Sequence, residues 1–285
     1  MNWYPGHMKK TYEMLKENLK IIDLVLIILD SRIPKSSLNP DLDKLILNKE
    51  KIYIMNKSDI SDKKINEKWI KYFNNRNLVV VENDSLKNKK NNDLFDKIEK
   101  FETKIKYKYS KKGFKNKTIR MLIVGVPNTG KSTFINYITK RKSVKTGNKP
   151  GVTRGKQWIK VKNKYEILDT PGVLWPNLKD EKTKYNLAVT GLIKDNIIDD
   201  VELSAYLIKF LKDNYIKKLT DRYKIDVETE NTYIEILDKI SIKKGFILKN
   251  HEVDYERTAV TILRDYRNGV LGKISLENPE EGSDG

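Results

Sequence analysis

The chain has 285 residues, 38% hydrophobic and 34% charged, with no cysteine and a formal net charge of +18. Without cysteine there are no disulfides and no thiolate metal sites, which fits a reducing compartment. No apolar stretch approaches bilayer-spanning length and the first residues lack the apolar core of a signal peptide, so a cytoplasmic protein with no membrane partner is expected, with room for one large domain or two ordinary ones.

Trp3-Tyr4-Pro5-Gly6-His7-Met8 is an aromatic entry, and residues 9–20 carry Met14 and Leu15 at the spacing of a short basic helix. Residues 23–29 read as a buried strand, followed by a loop over 34–40 and a helix over 41–47 with Leu42, Leu45 and Ile46 inward. A second apolar run at 51–55 runs into Asn56-Lys57-Ser58-Asp59. Next come a helix over 63–73 with Ile65, Trp69, Ile70 and Phe73 on one side, a strand over 78–81, and a helix over 93–105 built on Leu94, Ile98 and Phe101. Residues 106–117 are lysine-rich and poor in aliphatics; they read as a surface connection, with RNA contact as the second reading.

Residues 120–124 are a short apolar run, and Gly125-Val126-Pro127-Asn128-Thr129-Gly130-Lys131-Ser132 follows it, with a helix expected over 133–139. The octapeptide fits G-x-x-x-x-G-K-[ST] in the strand–loop–helix setting that a phosphate-binding loop requires. The backbone N–H groups of such a loop, and the helix N-terminus after it, favour phosphate. Asn128, Thr129, Gly130, Lys131, Ser132 and Thr133 are therefore candidates to hold phosphates, Lys131 by its charge and Ser132 also as a hydroxyl ligand of Mg²⁺. Residues 165–168 read as a strand that ends in Asp169-Thr170-Pro171-Gly172, where Asp169 suits Mg²⁺ and the Gly172 N–H suits a γ-phosphate. Between them, Thr153 of Pro150-Gly151-Val152-Thr153-Arg154-Gly155 is the natural second hydroxyl for the metal in a switch loop. Asp59 is the candidate for base choice, since a carboxylate accepts from both the ring N–H and the exocyclic amine of guanine, and adenine offers no such pair. The loop that brings a backbone N–H to the guanine oxygen has no clean match in Glu82-Asn83-Asp84-Ser85; Asp84 and Ser85 are the nearest candidates.

The order is thus base recognition first, phosphate loop second, switch motifs last: a circular permutation of the ordinary GTPase order. In this order, in Trp3-Tyr4-Pro5-Gly6-His7-Met8, in Asp30-Ser31-Arg32-Ile33-Pro34 and in the closing stretch Asp265 through Glu277, the chain resembles the ribosome biogenesis GTPase A family of bacteria over nearly its whole length. The resemblance implies binding of GTP and GDP, Mg²⁺, and a role in late assembly of the large ribosomal subunit with its rRNA as partner. A GTP-dependent RNA-binding checkpoint, or a GTPase serving another RNA such as tRNA, is the alternative. The expected fold class is α/β, a circularly permuted P-loop GTPase domain over residues 1–177 with a mostly parallel sheet and helices on both faces, then a small all-helical domain over residues 178–285. In that second part, residues 205–211, 234–240 and 255–266 show helical periodicity, Asp254 suits an N-cap and Gly269 a stop, and the acidic tail from Pro279 is expected to be disordered. A monomer is expected.

Charge sorts with this division. Residues 1–177 hold 39 Lys+Arg against 18 Asp+Glu, residues 178–285 hold 18 against 21, and residues 140–164 hold ten basic side chains and no acidic one. A uniform compositional drift would not sort charge so, and a polyanionic partner is expected around the nucleotide domain. An RNA role for the helical part would need Arg257, Arg264, Arg267 and Lys273 to gather on one face.

Where small GTPases carry a water-orienting Gln stands Val173, which cannot polarise water. The resemblance implies that His7 swings to the γ-phosphate when the particle binds; anchoring the N-terminal turn or touching RNA is the competing reading. His251 reads as structural. For Asn128, a side-chain carbonyl that ligates K⁺ beside the β- and γ-phosphates and simple hydrogen bonding within the loop both stay open.

Overall fold

The structure, a computed structural model, describes residues 6–84, 92–111, 113, 117–140, 157–162, 164–170, 172–174, 178, 180–193, 197–249 and 251–282, with the backbone alone at 6–9, 157, 281 and 282. Six strands form one sheet: β1 (Leu24–Asp30), β2 (Glu50–Asn56), β3 (Val80–Glu82), β4 (Ile119–Val124), β5 (Gln157–Val161) and β6 (Tyr165–Asp169). Their spatial order is β3-β2-β1-β4-β6-β5. All neighbours run parallel except β5, which lies antiparallel on the edge beside β6.

Alternation along β1 sorts its side chains to two faces. Leu24, Leu26 and Ile28 pack with Leu94 and Ile98 of α4 (Asn92–Ser110) and with Phe134, Ile135 and Ile138 of α5 (Lys131–Thr139). Val25, Ile27 and Leu29 pack with Leu15 of α1 (Gly6–Leu19), Leu42 of α2 (Pro40–Leu45), and Trp69 and Phe73 of α3 (Lys63–Asn75). Every residue of β1 is buried, which is why its sequence is an unbroken apolar run rather than an alternation. Asn39 caps α2 and Asp62 caps α3, each accepting two backbone N–H groups, worth about 1 kcal/mol apiece.

Beyond the sheet lie α6 (Glu181–Val189), α7 (Asp200–Tyr223), α8 (Tyr233–Lys244) and α9 (Tyr255–Arg267). Asp254 does cap α9, accepting from the Arg257 N–H, and Thr232 with Glu235 forms a capping box on α8. These helices share one apolar cluster with Ile33, Val126 and Leu174 of the sheet unit. The chain then runs back over the sheet unit. Ile274 N–H donates to the Ile60 carbonyl, Leu276 N–H to the Arg32 carbonyl at 2.8 Å, and the Trp69 indole to the Glu277 carbonyl at 3.1 Å. The buried Glu277 carboxylate accepts from the N–H groups of Lys35 and Ser36, the Ser36 hydroxyl and the Asn186 amide.

Three expectations change. Helix α4 runs on to Ser110, through half of the lysine-rich stretch read as a surface connection, because Ile105 is buried beneath it and Tyr109 donates to Asp23 at 3.0 Å. Strand β5 and helix α6 were not anticipated. The tail is ordered at its start: Pro279–Gly282 form a 3-10 turn and Lys68 pairs with Glu280 at 2.7 Å. Of the four basic residues whose gathering an RNA role for the helical part would need, Arg257 lies over the Phe246 ring and Arg267 donates to carbonyls at the end of α6.

Candidate nucleotide-binding site

The carboxyl ends of β1, β2, β4 and β6 come out along one edge of the sheet, and those of β2, β4 and β6 are each followed by a candidate segment. This is the edge where open α/β sheets bind ligands. In register, Asp30 at the end of β1 faces Asn56 at the end of β2. On the other side of β1, Ile27 pairs with Val124, the last residue before the glycine-rich loop. Asp169 closes β6 and is fully buried.

The loop from Gly125 to Ser132 leads directly into α5. Gly130 has a φ of +90°, and a Cβ there would lie 2.5 Å from the Asn56 amide nitrogen, so both backbone and space demand glycine. A Cβ on Gly172 would meet the Pro127 backbone at 2.7 Å and the Lys131 ammonium at 2.8 Å, which brings the Asp169–Gly172 segment against the loop. Lys131 is buried and donates to the carbonyls of Gly125 at 3.2 Å and Val126 at 2.7 Å. Burial pushes its ammonium down to about 8, while the Asp169 charge works the other way. A buried cation so placed is suited to an anionic ligand, whose charge would offset the desolvation. Thr129 is buried with its hydroxyl on the Val126 carbonyl, Ser132 and Thr133 are half-buried in the first turn of α5, and Gly172 is half-buried.

The base loop is joined to this loop through one side chain. Asn56 donates to the Thr129 carbonyl at 2.8 Å and accepts from the Asn83 amide at 3.0 Å. Ser58 N–H donates to the Asn83 carbonyl at 3.2 Å, so Asn56-Lys57-Ser58-Asp59 and Asn83-Asp84 form neighbouring walls, with Asp59 and Asp84 half-buried. Lys57, at φ +61°, sends its ammonium to Asp30 at 2.9 Å. Arg32 meets the same carboxylate through two nitrogens, at 2.9 and 2.8 Å. Burial alone would raise the Asp30 carboxyl, but the Arg32 and Lys57 charges hold it well below the usual carboxylate range. Asp30, Arg32 and Asn83 were given no role by sequence reasoning; the signal was an Asp closing an apolar strand with an Arg two residues on.

Asn128, at φ +59°, donates its amide to the Gly191 carbonyl at 2.9 Å, a contact with the turn after α6 rather than within the loop. Val173 is 2% exposed and packs with Leu15, Leu29, Val124 and Leu168, so its side chain faces the core. His7 lies in the first turn of α1, its side chain outside those described, and Ser85, Thr153 and residues 141–156 of the basic run are outside the described residues. No group of three or more His, Cys, Asp or Glu able to hold a metal occurs among the described residues. Ser132 and Asp169 offer a hydroxyl and a carboxylate, hard oxygen donors too few for a protein-only cage but suited to Mg²⁺ shared with phosphates and water. No helix among the described residues is long and apolar enough to cross a membrane.

Residues 120–248 match the family described as 50S ribosome-binding GTPase. The chain is 37% identical to ribosome biogenesis GTPase A of Bacillus cereus, over 99% of this chain and 95% of that protein. It is 38% identical to the protein of that name from Priestia megaterium, over 99% and 98%. Among solved structures, GNP-bound YlqF from T. maritima superimposes with a TM-score of 0.66 at 26% identity, covering 95% of this chain and 99% of that one.

Proposed function

The chain belongs to the ribosome biogenesis GTPase A family and is a GTPase, and from this premise we propose that it hydrolyses GTP on the maturing large ribosomal subunit, in a late assembly step, as a cytoplasmic monomer. Residues 1–177 form the permuted GTPase domain and residues 178–285 the helical domain in this reading. The observation that supports it is the buried Asn56–Thr129 hydrogen bond, which joins residues 56–59 and 125–132, read here as the guanine and phosphate loops.

Asp59 reads guanine by accepting from its ring N–H and amine, within a pocket walled by Asn56, Lys57, Ser58, Asp84 and Ser85. The N–H groups of Asn128, Thr129, Gly130, Lys131, Ser132 and Thr133 surround the phosphates, the Lys131 ammonium turns to the β- and γ-oxygens, and the Gly172 N–H meets the γ-phosphate. Ser132, Thr153 and Asp169 would hold Mg²⁺, which when bound would neutralise charge developing on the phosphates. The Asn128 amide nitrogen is held by its bond to Gly191, and the side-chain carbonyl is the K⁺ ligand in this reading. His7 orients the attacking water when the particle binds, because Val173 is committed to the core. The excess of basic residues in 1–177 contacts rRNA.

Phosphate release from GTP, measured with and without isolated large subunits and with tRNA, tests this. Stimulation by large subunits is expected; stimulation by tRNA alone would transfer the activity to another RNA.

A further inference from the structure

Helix α6 ends in a turn whose last four carbonyls are met by three side chains from elsewhere in the chain. Gly191 N–H donates to the Ala188 carbonyl and Leu192 N–H to the Leu187 carbonyl, both at 2.9 Å, the closure that needs a left-handed residue, here Gly191 at φ +72°. Arg267 of α9 then donates from Nε to the Val189 carbonyl at 3.0 Å and from an Nη to the Ala188 carbonyl at 2.9 Å. Arg32 donates to the Thr190 carbonyl at 3.3 Å, and Asn128 to the Gly191 carbonyl at 2.9 Å. Two guanidinium groups at the negative end of a helix are placed where the helix dipole favours cations.

One of these three side chains belongs to a nucleotide loop and a second is tied to the other loop. Asn128 is part of the phosphate loop. Arg32 shares Asp30 with Lys57 of the base loop, through contacts of 2.8 and 2.9 Å on a fully buried carboxylate. The turn at residues 188–191 therefore touches the phosphate side directly and the base side through two ion pairs that share the Asp30 carboxylate. Its third holder, Arg267, lies on the last helix of the helical part, and that helix packs on α7 through the shared apolar cluster.

We propose that this turn is a joint which carries the position of α9 to both nucleotide loops, and that Arg267 is a positioning residue for nucleotide retention although it belongs to none of the loops that hold the nucleotide. This rests on the assignment of residues 56–59 and 125–132 as the guanine nucleotide site. With Arg267 in place, the turn holds Asn128 and Arg32, and the loops stay shaped for the ligand. With α9 shifted or Arg267 removed, the Val189 and Ala188 carbonyls lose their cation, the turn relaxes, and both loops lose an anchor together. Linkage makes the effect mutual: a partner that moves the helical part changes GDP affinity, and GDP changes the affinity for that partner by the same factor.

The test is the rate at which a fluorescent GDP analogue, prebound to the full chain, is chased off by unlabelled GDP. Arg267→Ala is expected to speed release at least about fivefold, the lower end of ordinary site-to-site coupling. Arg267→Lys should also speed it, because one ammonium cannot span two carbonyls as the planar fork does. Gly191→Ala is a gentler second variant, since its Cβ would press on the Arg267 Nε at 3.3 Å and the left-handed φ disfavours it. Arg257→Ala is the control, removing a guanidinium of the same helix that lies over Phe246 at 4.3 Å. It should lower melting of the nucleotide-free protein yet leave release at the parent rate. The Asn128→Ala/Arg267→Ala double variant should release more slowly than the product of the two single effects predicts, because both act through one turn. Parent-like release from Arg267→Ala and Gly191→Ala, or a double variant that simply multiplies the single effects, overturns the joint. A parent chain that retains no GDP analogue overturns the nucleotide-site assignment itself.

Discussion

Asn56 and Thr129 are 73 residues apart in the chain, and the side-chain amide of the first donates to the backbone carbonyl of the second at 2.8 Å in a buried setting. The same amide group accepts from Asn83, so one side chain ties the base loop, the phosphate loop and the segment after β3. Circular permutation moves the base loop ahead of the phosphate loop in sequence, yet this bond needs only that β1, β2 and β4 lie side by side, which their parallel pairing provides.

Asn56→Ala would leave the Thr129 carbonyl and the Asn83 amide buried without this partner. The expected loss is about 2 kcal/mol, at the middle of the range for unsatisfied buried polar groups, with GDP affinity falling as the two loops lose register. Urea unfolding at unchanged m-value checks the stability, and a GDP titration checks the affinity. A variant as stable and as tight as the parent would remove Asn56 from this role.

Asp59→Asn should exchange guanine for xanthine. The carboxylate accepts two hydrogens from guanine, whereas an amide donates where xanthine presents an oxygen. Competition between GTP and xanthosine triphosphate reads this directly. GTP binding equal to the parent's would mean that Asp59 does not face the base.

Lys131 gives a pH dependence. Its folded-state value, pushed down by burial to about 8, lies below the ordinary lysine value, so the charged form costs stability in the folded protein below that pH. Without nucleotide, this group's contribution to stability should rise as pH climbs from about 8 toward the unfolded value of 10.5. Phosphates favour the charged form, so GDP affinity should fall over the same interval, with proton uptake on binding. Calorimetric titrations near pH 9 in two buffers of different ionisation enthalpy detect that proton, and Lys131→Met should abolish the uptake. Uptake unchanged in that variant would assign the proton to another group.

Much of this site is legible in the sequence because it is local. A strand, a glycine loop and a helix over residues 120–139 are adjacent in the chain, and Asn56 to Asp59 follow an apolar run. What pattern reading misses is what depends on partners. Strand β5 is an edge strand with Trp158 exposed and Ile159 and Val161 buried, in a stretch so basic that charge hides the alternation. Helix α6 buries Asn186 beside Leu187, Ala188 and Val189, so no clean apolar stripe marks it. Helix α4 outlasts its expected end because Ile105 is buried, Tyr109 reaches Asp23 and Lys106 pairs with Glu102 one turn back, contacts no lysine-rich composition announces. The return of Ser275 to Glu277 onto the sheet unit, and the Asp30–Arg32–Lys57 cluster, join residues whose proximity no sequence period encodes.

Val173 decides what sort of enzyme this is. It stands where a water-orienting Gln is found in small GTPases, and it is 2% exposed among Leu15, Leu29, Val124 and Leu168. Its N–H donates to the Gly125 carbonyl at 3.2 Å, and its carbonyl accepts from Asn39 at 3.0 Å, so the backbone holds the side chain inward. Val173→Gln should therefore not create a faster enzyme. It would place an amide in an apolar cluster, costing roughly 2 kcal/mol, and leave basal turnover low. In the proposed mechanism the water is oriented from elsewhere, by His7 of the opening segment. His7→Ala should bind GTP and large subunits as the parent does and lose most of the stimulation by subunits, because only the transition state needs the imidazole. Steady-state phosphate release for parent, Val173→Gln and His7→Ala, with subunits and without, in potassium and in sodium buffers, separates the contributions. Faster basal turnover in Val173→Gln would mean the side chain can reach the γ-phosphate and the core placement does not govern catalysis. Full stimulation in His7→Ala would take the histidine out of the reaction, and equal rates in the two buffers would take Asn128 out of potassium binding.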